Sequence, residues 1–203
     1  MNYGKLASSD ALKRAADALE KHGISTEIVE NGAAAKKRVL ELLPEGAEVM
    51  DMTSETLRTI GLQTIINDSG KYDSVRQKLK KMNRAVDGLA MQRIGAAPEW
   101  TIGSVQAVTE SGQLVIASNT GSQLPAYAYG SSHVIWVVGA QKIVKNLDEA
   151  FVRIYQYVLP LESERARQAY GVPQSAVSKL LVINQEIMPN RAKVILIREK
   201  LGF

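Results

Sequence analysis

Three short apolar runs in the middle of the chain constrain its fold more than any other feature. Residues 105–108, 114–117 and 134–138 are rich in β-branched side chains, and polar segments that contain glycine bound each run. Runs of this length and composition are typical of buried β-strands. The first two are joined by the turn ESGQ at 110–113, in which the Ser-Gly pair suits a tight hairpin. The sequence therefore predicts a buried sheet centred on residues 103–145.

Amphipathic helical patterns flank these strands. One runs from an N-cap signal at Ser8-Ser9-Asp10 to Gly23, a second covers 33–43, and a third runs from Asn146 to Pro160. Helices that alternate with strands predict an α/β protein in which helices flank one open sheet, parallel or mixed in direction.

The size of the chain indicates one domain. With 203 residues and 45% hydrophobic content it can bury a full core. We expect a single domain over 1–203, with an N-terminal helical elaboration at 1–45 and an α/β core at 46–203. Two apolar runs at 180–183 and 194–197 predict a closing pair of strands.

The composition excludes several kinds of site. The chain has no cysteine, which rules out disulfides, thiolate zinc sites, thiol catalysis and any iron-sulfur cluster held by its own thiolates. Its two histidines, His22 and His133, argue against a multi-histidine metal site, so no metal site is predicted, although carboxylates and water stay open as ligands. No apolar run reaches the roughly 18 to 20 residues of a membrane span, and we expect a cytoplasmic protein.

A nucleic-acid partner is not predicted. The net charge of +4 is spread along the chain, and its densest basic cluster falls in a predicted helix at 71–85. In that helix Arg76, Lys80 and Arg84 would share one face, which is typical of a solvated surface. Aromatic residues for base stacking are not interleaved with these charges.

Glu110 is the carboxylate with the most chemical potential. It lies between a predicted buried strand and a glycine turn, where partial desolvation would suit a general base or a nucleophile. An exposed hairpin residue is the alternative. Candidate ligand-binding groups surround it in sequence: Ser104, Ser111, Gly112, Asn119, Thr120, Gly121, Ser122 and Gln123.

Further polar residues are candidates at other turns. Thr53 and Ser54 follow a predicted strand at a helix start, where backbone N–H groups can bind an anion or where either side chain can serve as an N-cap. Arg191 is a candidate anion clamp or a surface-turn residue. His133 fits an acid or base at a strand mouth or a structural histidine, and His22 suits a helix C-terminus.

The chain resembles the LUD-domain family, the lactate-utilisation proteins of the LutC type, also called DUF162. The similar segments are GSVQAVTESGQLVIAS, NTGSQLPAYAYGSSHVIWVVGAQKIV, NLDEAFVRIYQYVLPLESERA and MPNRAKVILIREKLGF, and TSETLRTIGL resembles a family turn and helix. At this turn Asp51-Met52-Thr53 stands where family members often have glycine. The resemblance implies the fold type of ribose-5-phosphate isomerases and CoA transferases. It also implies a role in lactate oxidation beside iron-sulfur partner proteins.

Three functions follow from these observations. The first is a subunit that binds a small anionic metabolite, a hydroxy or keto acid, in a pocket of Glu110 and residues 118–123. The second is a free-standing enzyme similar to CoA transferases or sugar-phosphate isomerases, with Glu110 as nucleophile or base. The third is a non-catalytic assembly or regulatory protein in which Tyr127 and Tyr129 share a strand face and contact a partner. Each of these three functions is compatible with a homo-oligomer.

Overall fold

Two β-branched strands, His133–Gly139 and Ala192–Ile197, lie side by side at the centre of the protein. The computed structural model describes residues 2–203. Its strands, in chain order, are β1 (Ser25–Val29), β2 (Glu48–Asp51), β3 (Asp73–Ser74), β4 (Trp100–Gly103), β5 (Ala107–Thr109), β6 (Leu114–Ser118), β7 (His133–Gly139), β8 (Ile143–Val144), β9 (Lys179–Ile183) and β10 (Ala192–Ile197).

Helices connect and cover these strands. They are α1 (Ser9–Lys21), α2 (Gly32–Leu42), α3 (Glu55–Thr59), α4 (Leu62–Asp68), α5 (Val75–Lys80), α6 (Arg84–Ala96), α7 (Leu147–Arg153) and α8 (Leu159–Tyr170). Two π-helical segments, Ala126–Gly130 and Ile154–Val158, and the 3₁₀ turn Ala140–Lys142 complete the structure. The predicted N-cap within Ser8-Ser9-Asp10 is confirmed at Ser8, whose side chain accepts a hydrogen bond from the backbone N–H of Ala11.

The main sheet has six strands in the order β1-β10-β7-β4-β2-β3, and every adjacent pair is parallel. The predicted α/β fold with an open sheet and flanking helices is confirmed. A second, four-stranded mixed sheet in the order β8-β5-β6-β9 was not predicted. It contains the predicted hairpin of β5 and β6, which is antiparallel. The first 45 residues contribute the edge strand β1 to the main sheet in addition to two helices.

The predicted closing pair of strands is wrong. Strand β9 joins β6 in the small sheet, whereas β10 inserts between β1 and β7 in the main sheet. Both runs are apolar enough for a strand, but their composition does not specify a partner.

The central strands bury both of their faces. In β7, Val134, Trp136 and Val138 pack against α1 and the small sheet, whereas Ile135 and Val137 pack against α2, α3 and α4. This alternation follows from the two-residue period of a strand. It explains why β7 and β10 are almost continuously apolar, as strands buried on both faces are. The small sheet therefore lies on one face of the main sheet, beside α1.

The predicted basic helix at 71–85 is wrong in its extent. Helix α5 ends at Lys80, and Asn83 caps a new helix by accepting a hydrogen bond from the N–H of Ala85. Arg76 does not face solvent freely, because its Nε lies 2.9 Å from a carboxylate oxygen of the fully buried Asp51. Among residues 2–203, none of the helices is both long and apolar enough to cross a membrane.

Candidate functional site

A cavity of about 580 Å³ opens at the carboxyl ends of β2, β4 and β7, which are adjacent in the main sheet. Residues 53–56 follow β2, residues 104–106 follow β4, and Lys142 lies just beyond β7. The opposite wall consists of residues 117–123 from the small sheet and of residues from 154–177. Ligands of open α/β sheets bind at this edge, because the loops after neighbouring parallel strands meet there.

Lys142 is the most unusual residue in the cavity wall. The 3₁₀ turn after β7 buries it almost completely, at 3% exposure. Its Nζ donates to Thr56 Oγ1 at 3.1 Å, to Ser104 Oγ at 3.0 Å and to the carbonyl oxygen of Val105 at 3.1 Å. One acceptor belongs to α3 and two belong to the loop after β4, so together they fix the position of the nitrogen.

The surroundings of Lys142 do not neutralise its charge. The Thr56 hydroxyl donates onward to the carbonyl of Leu201, and the Ser104 hydroxyl donates to that of Val137. Lys142 makes no ion pair with a carboxylate in the part of the chain that the structure describes. Burial, together with the positive charge of Arg153, lowers the pKa of Lys142 from 10.5 to about 7.

Arg153 is a second buried cation next to the cavity wall. Its Nη1 donates to the carbonyl of Gln106, directly after the Val105 carbonyl that Lys142 binds. The side chain is fully buried, and its Nε and Nη2 have no hydrogen-bond partner among residues 2–203. Its guanidinium lies 5.3 Å from the centre of the Tyr157 ring. Burial lowers the pKa of Arg153 from 12.5 to about 10. Two buried cations on consecutive carbonyls give this end of the cavity a positive potential.

Tyr127 closes the cavity beside β4. It is 1% exposed, its ring packs at 5.5 Å from that of Trp136, and burial raises the pKa of its hydroxyl. The hydroxyl fits there because Gly103 has no side chain: a Cβ at Gly103 would overlap the Tyr127 hydroxyl and lie 2.8 Å from its Cζ. The predicted strand face shared with Tyr129 is wrong, since both tyrosines lie in the π-helical segment and Tyr129 is 81% exposed.

Several predicted ligand-binding residues line the cavity. They are Thr53, Ser54, Ser104, Asn119, Thr120, Ser122 and Gln123. Thr120 Oγ1 donates to Ser122 Oγ at 3.0 Å, and Asn119 Oδ1 accepts from Ser178, so the loop is partly ordered by its own side chains. Gly121 adopts a φ of 84°, and its N–H binds Ser118 Oγ. Ser54 caps α3 through the N–H of Leu57.

The hairpin turn with Glu110 lies elsewhere. Glu110, Ser111 and Gly112 are not among the described residues that line the cavity. The turn packs on α1, where a Glu110 carboxylate oxygen lies 2.7 Å from Arg14 Nε. A Cβ at Gly112, whose φ is 83°, would meet the backbone of Ala18 at 2.7 Å. This cavity therefore does not combine Glu110 with residues 118–123, and a catalytic Glu110 stays a prediction without support from the cavity.

The turn also accounts for one histidine. His22 Nδ1 lies 3.2 Å from the carbonyl oxygen of Gly112, across the contact between α1 and the turn. The ring of His133 stacks on Trp100 at 4.1 Å, away from the lining of the cavity. Among residues 2–203, no three His, Asp or Glu side chains are grouped as metal ligands.

Arg191 is a structural clamp instead of a ligand clamp. Its guanidinium binds the carbonyls of Ser131, Ala126 and Tyr127, and Nη1 lies 2.6 Å from a carboxylate oxygen of Glu186. All of its terminal nitrogens are thus occupied inside the protein. It holds the π-helical segment that carries Tyr127.

The sequence reasoning missed Lys142. One signal was available: from Ser111 to Val144, Lys142 is the only residue that is Asp, Glu, Lys or Arg. A lone cation directly after a buried parallel strand, at the edge where ligands bind, marks a candidate site.

Comparisons with known proteins agree with this architecture. The family model described as the LUD domain matches residues 12–197. The crystal structure of a DUF162 family protein from Deinococcus radiodurans superposes with a TM-score of 0.59 at 13% sequence identity, covering 95% of this chain and 99% of that chain. At this identity the likeness shows a shared fold. No match was found among curated proteins.

Proposed function

From the finding that the chain belongs to the LUD-domain family, we propose that it binds a small anionic metabolite, a hydroxy or oxo acid. It acts in the utilisation of lactate or a related organic acid, as a subunit that works with iron-sulfur partner proteins. The family resemblance supplies the process, and the cavity supplies the candidate binding site.

The observation that carries this proposal is the buried, unneutralised charge at Lys142. A cation removed from water without a carboxylate partner is costly unless an anion reaches it. Lys142 lines the cavity, and Arg153 adds to the positive potential behind it. A bound carboxylate would offset the cost of burying both cations.

The remaining lining fits an organic acid. Hydroxyl and amide groups of residues 118–123 line the same cavity as Lys142, and Ile154, Val158 and Val177 supply an apolar wall. Pockets for small molecules combine an apolar lining with a few polar groups that orient the ligand. In this arrangement the carboxylate lies at Lys142 and the carbon chain lies along the apolar wall.

The volume of the cavity favours one alternative. At about 580 Å³ it has room for a ligand larger than a three-carbon acid. An enzyme similar to CoA transferases or sugar-phosphate isomerases is therefore the second candidate. Its charged ligand would use the same buried cation, and Glu110 would have no contact with it.

Isothermal titration calorimetry tests the proposal. Wild-type protein is titrated with lactate, pyruvate, longer hydroxy and oxo acids, sugar phosphates and acyl-CoA, in parallel with Lys142→Met and Lys145→Met. Lys145 is an exposed lysine three residues away and serves as the matched control. We expect short acids to bind wild type and Lys145→Met and to lose at least about tenfold in affinity with Lys142→Met, equivalent to about 1.4 kcal/mol. Binding of CoA or sugar phosphates alone would favour the second candidate, and equal affinity in all three proteins would contradict a site at Lys142.

The subunit role has its own test. Because the chain has no cysteine, the thiolate-held clusters of lactate oxidation belong to partner proteins. We expect the purified chain to bind the acid without reducing an artificial electron-acceptor dye in the presence of lactate. Dye reduction by the chain alone would contradict the subunit role.

A further inference from the structure

The geometry at Lys142 points to covalent chemistry. We propose that the Lys142 amine condenses with the carbonyl group of a 2-oxo acid bound in the cavity and forms an imine. This inference rests on the proposed function, since it requires that an organic acid binds in this cavity.

The nitrogen is held in place at the cavity wall. Among the described residues that line the cavity, Lys142 is the only lysine. Its Nζ contacts Thr56, Ser104 and the carbonyl of Val105, all of which also line the cavity. A nucleophile whose position is fixed before the substrate arrives loses little entropy on reaction.

The protonation state of Lys142 suits a nucleophile. Only the neutral amine has a lone pair for attack, and an exposed lysine is almost fully protonated at neutral pH. Burial and the charge of Arg153 bring the pKa of Lys142 to about 7, so amine and ammonium are both populated there. The ammonium form donates to three acceptors, whereas the amine donates to two of them and carries its lone pair in place of the third N–H, so a small rotation of the side chain turns the lone pair toward the cavity.

The reaction needs no co-reactant. The Nζ lone pair attacks the carbonyl carbon, a C–N bond forms, and the carbonyl oxygen becomes a hydroxyl group. That oxygen then leaves as water with the two protons that the amine gives up, and a C=N bond remains. The hydroxyls of Thr56 and Ser104, which contact Nζ, can pass protons between nitrogen and oxygen when they turn away from the carbonyls of Leu201 and Val137.

The charges around the nitrogen select the substrate class. The Lys142 ammonium has no carboxylate partner among the described residues, and Arg153 lies behind it as a second buried cation. A carbonyl compound with an adjacent carboxylate meets this positive potential with its own charge. A 2-hydroxy acid of the same size carries the same charge but has no carbonyl group, so it binds without reacting.

Borohydride trapping tests the imine directly. Wild-type protein is mixed with pyruvate, reduced with sodium borohydride, and analysed by intact mass and peptide mapping. We expect one reduced adduct per chain on the peptide that contains Lys142, with a yield that increases between pH 6 and pH 8. Lactate should give no adduct, Lys142→Met should lose it, and Lys145→Met should retain it.

The outcomes separate this inference from the proposed function. Calorimetric binding of pyruvate without an adduct on Lys142 would overturn the imine and leave the binding function intact. Adducts distributed evenly over surface lysines would also overturn it. If hydroxy acids bind and oxo acids do not, the imine is overturned and the binding function stands, whereas both proposals fail if neither class of acid binds. Peptide mapping of the wild-type protein shows which lysine carries the adduct, even if Lys142→Met does not fold.

Discussion

Single side chains determine the character of the cavity. Lys142 and Arg153 bind consecutive backbone carbonyls, and burial lowers the pKa of each. Neither has a carboxylate to balance it among the residues that the structure describes. Such groups lower the stability of the folded chain, and their retention is typical of functional sites.

Because burial of Lys142 destabilises the folded protein, the free energy of unfolding should depend on pH. Its pKa is about 7 in the folded protein and 10.5 in the unfolded chain, so the folded state binds fewer protons between these values. The free energy of unfolding of wild type should therefore rise with pH across this window, relative to Lys142→Met, by up to about 1.4 kcal/mol per pH unit. Urea unfolding at pH 7 and pH 9 measures the difference. Lys145→Met should follow wild type, and parallel profiles for wild type and Lys142→Met would contradict the assignment.

Replacement of Gly103 by alanine should cause a steric clash with Tyr127. A methyl group there overlaps the Tyr127 hydroxyl, so Gly103→Ala should lower the free energy of unfolding by about 1 to 3 kcal/mol. Gly88→Ala is the control, since a Cβ at Gly88 meets nothing within 4 Å and alanine favours a helix by about 0.5 to 1 kcal/mol. Addition of Tyr127→Phe should recover part of the loss. Equal effects of the two glycine substitutions in thermal unfolding would refute the overlap.

At this scale the sequence predicted part of the site. The small polar residues of 118–123 were found because a loop after a buried strand is a common binding site. Lys142 was missed, and the surroundings of Glu110 could not be predicted, because the burial of a charged side chain depends on neighbours that are distant in sequence. Leu201, whose carbonyl accepts from Thr56, and Arg14, which pairs with Glu110, lie 145 and 96 residues away from their partners.

Among the secondary-structure elements, α5 is attached to the main sheet by ion pairs, of which the pair between Arg76 and Asp51 is the most buried. Asp51 ends β2 with no exposure, and Arg76 of α5 binds both its carboxylate and its backbone carbonyl. Asn67 donates to the same carboxylate oxygen at 3.0 Å. These bonds place the chain after β2, which enters the cavity wall at Thr53.

Replacement of Arg76 should therefore lower the free energy of unfolding. Arg76→Met leaves the Asp51 carboxylate buried with Asn67 as its side-chain partner, and we expect a loss of about 2 to 4 kcal/mol in the free energy of unfolding. Lys80→Met, at the exposed end of the same helix, should change it by less than about 0.5 kcal/mol. Chemical denaturation of both variants gives the comparison. A similar small effect of both would show that the ion pair does not stabilise this attachment.

Elements were predictable where their pattern was local. Strands β6 and β7 and helices α1 and α2 follow from apolar periodicity and caps. Helix α6 was not predicted, because it buries none of its residues and so has no apolar face to reveal it. The partners of β9 and β10 were wrong because two apolar runs close in sequence can join different sheets.

On the scale of the whole molecule, the cavity joins distant parts of the chain. Segments that follow strands of both sheets, the helices at 154–170 and Phe203 contribute to its lining. Residues 171–178, which lack regular secondary structure and are mostly exposed, form part of the wall. A ligand would hold these parts together.

Hydrogen exchange should detect this effect. With pyruvate at one hundred times its dissociation constant, an opening that releases the ligand costs about 2.7 kcal/mol more, so amide exchange at 172–178 should slow by up to about a hundredfold. Residues 186–190, outside the lining, are the internal control. Unchanged exchange at 172–178 despite calorimetric binding would place the ligand elsewhere.

The position of β10 also governs when the protein can fold during its synthesis. Strand β1 has its only ladder in the described chain with β10, and the Ser25 hydroxyl is bonded to Lys193, 168 residues later. A nascent chain on the ribosome therefore carries β1 and one side of β7 unpaired until residue 197 has emerged. Because exposed strand edges promote aggregation, the folding of this chain during synthesis should depend on chaperones that shield these edges. The main sheet should close in one late step, after β10 has emerged.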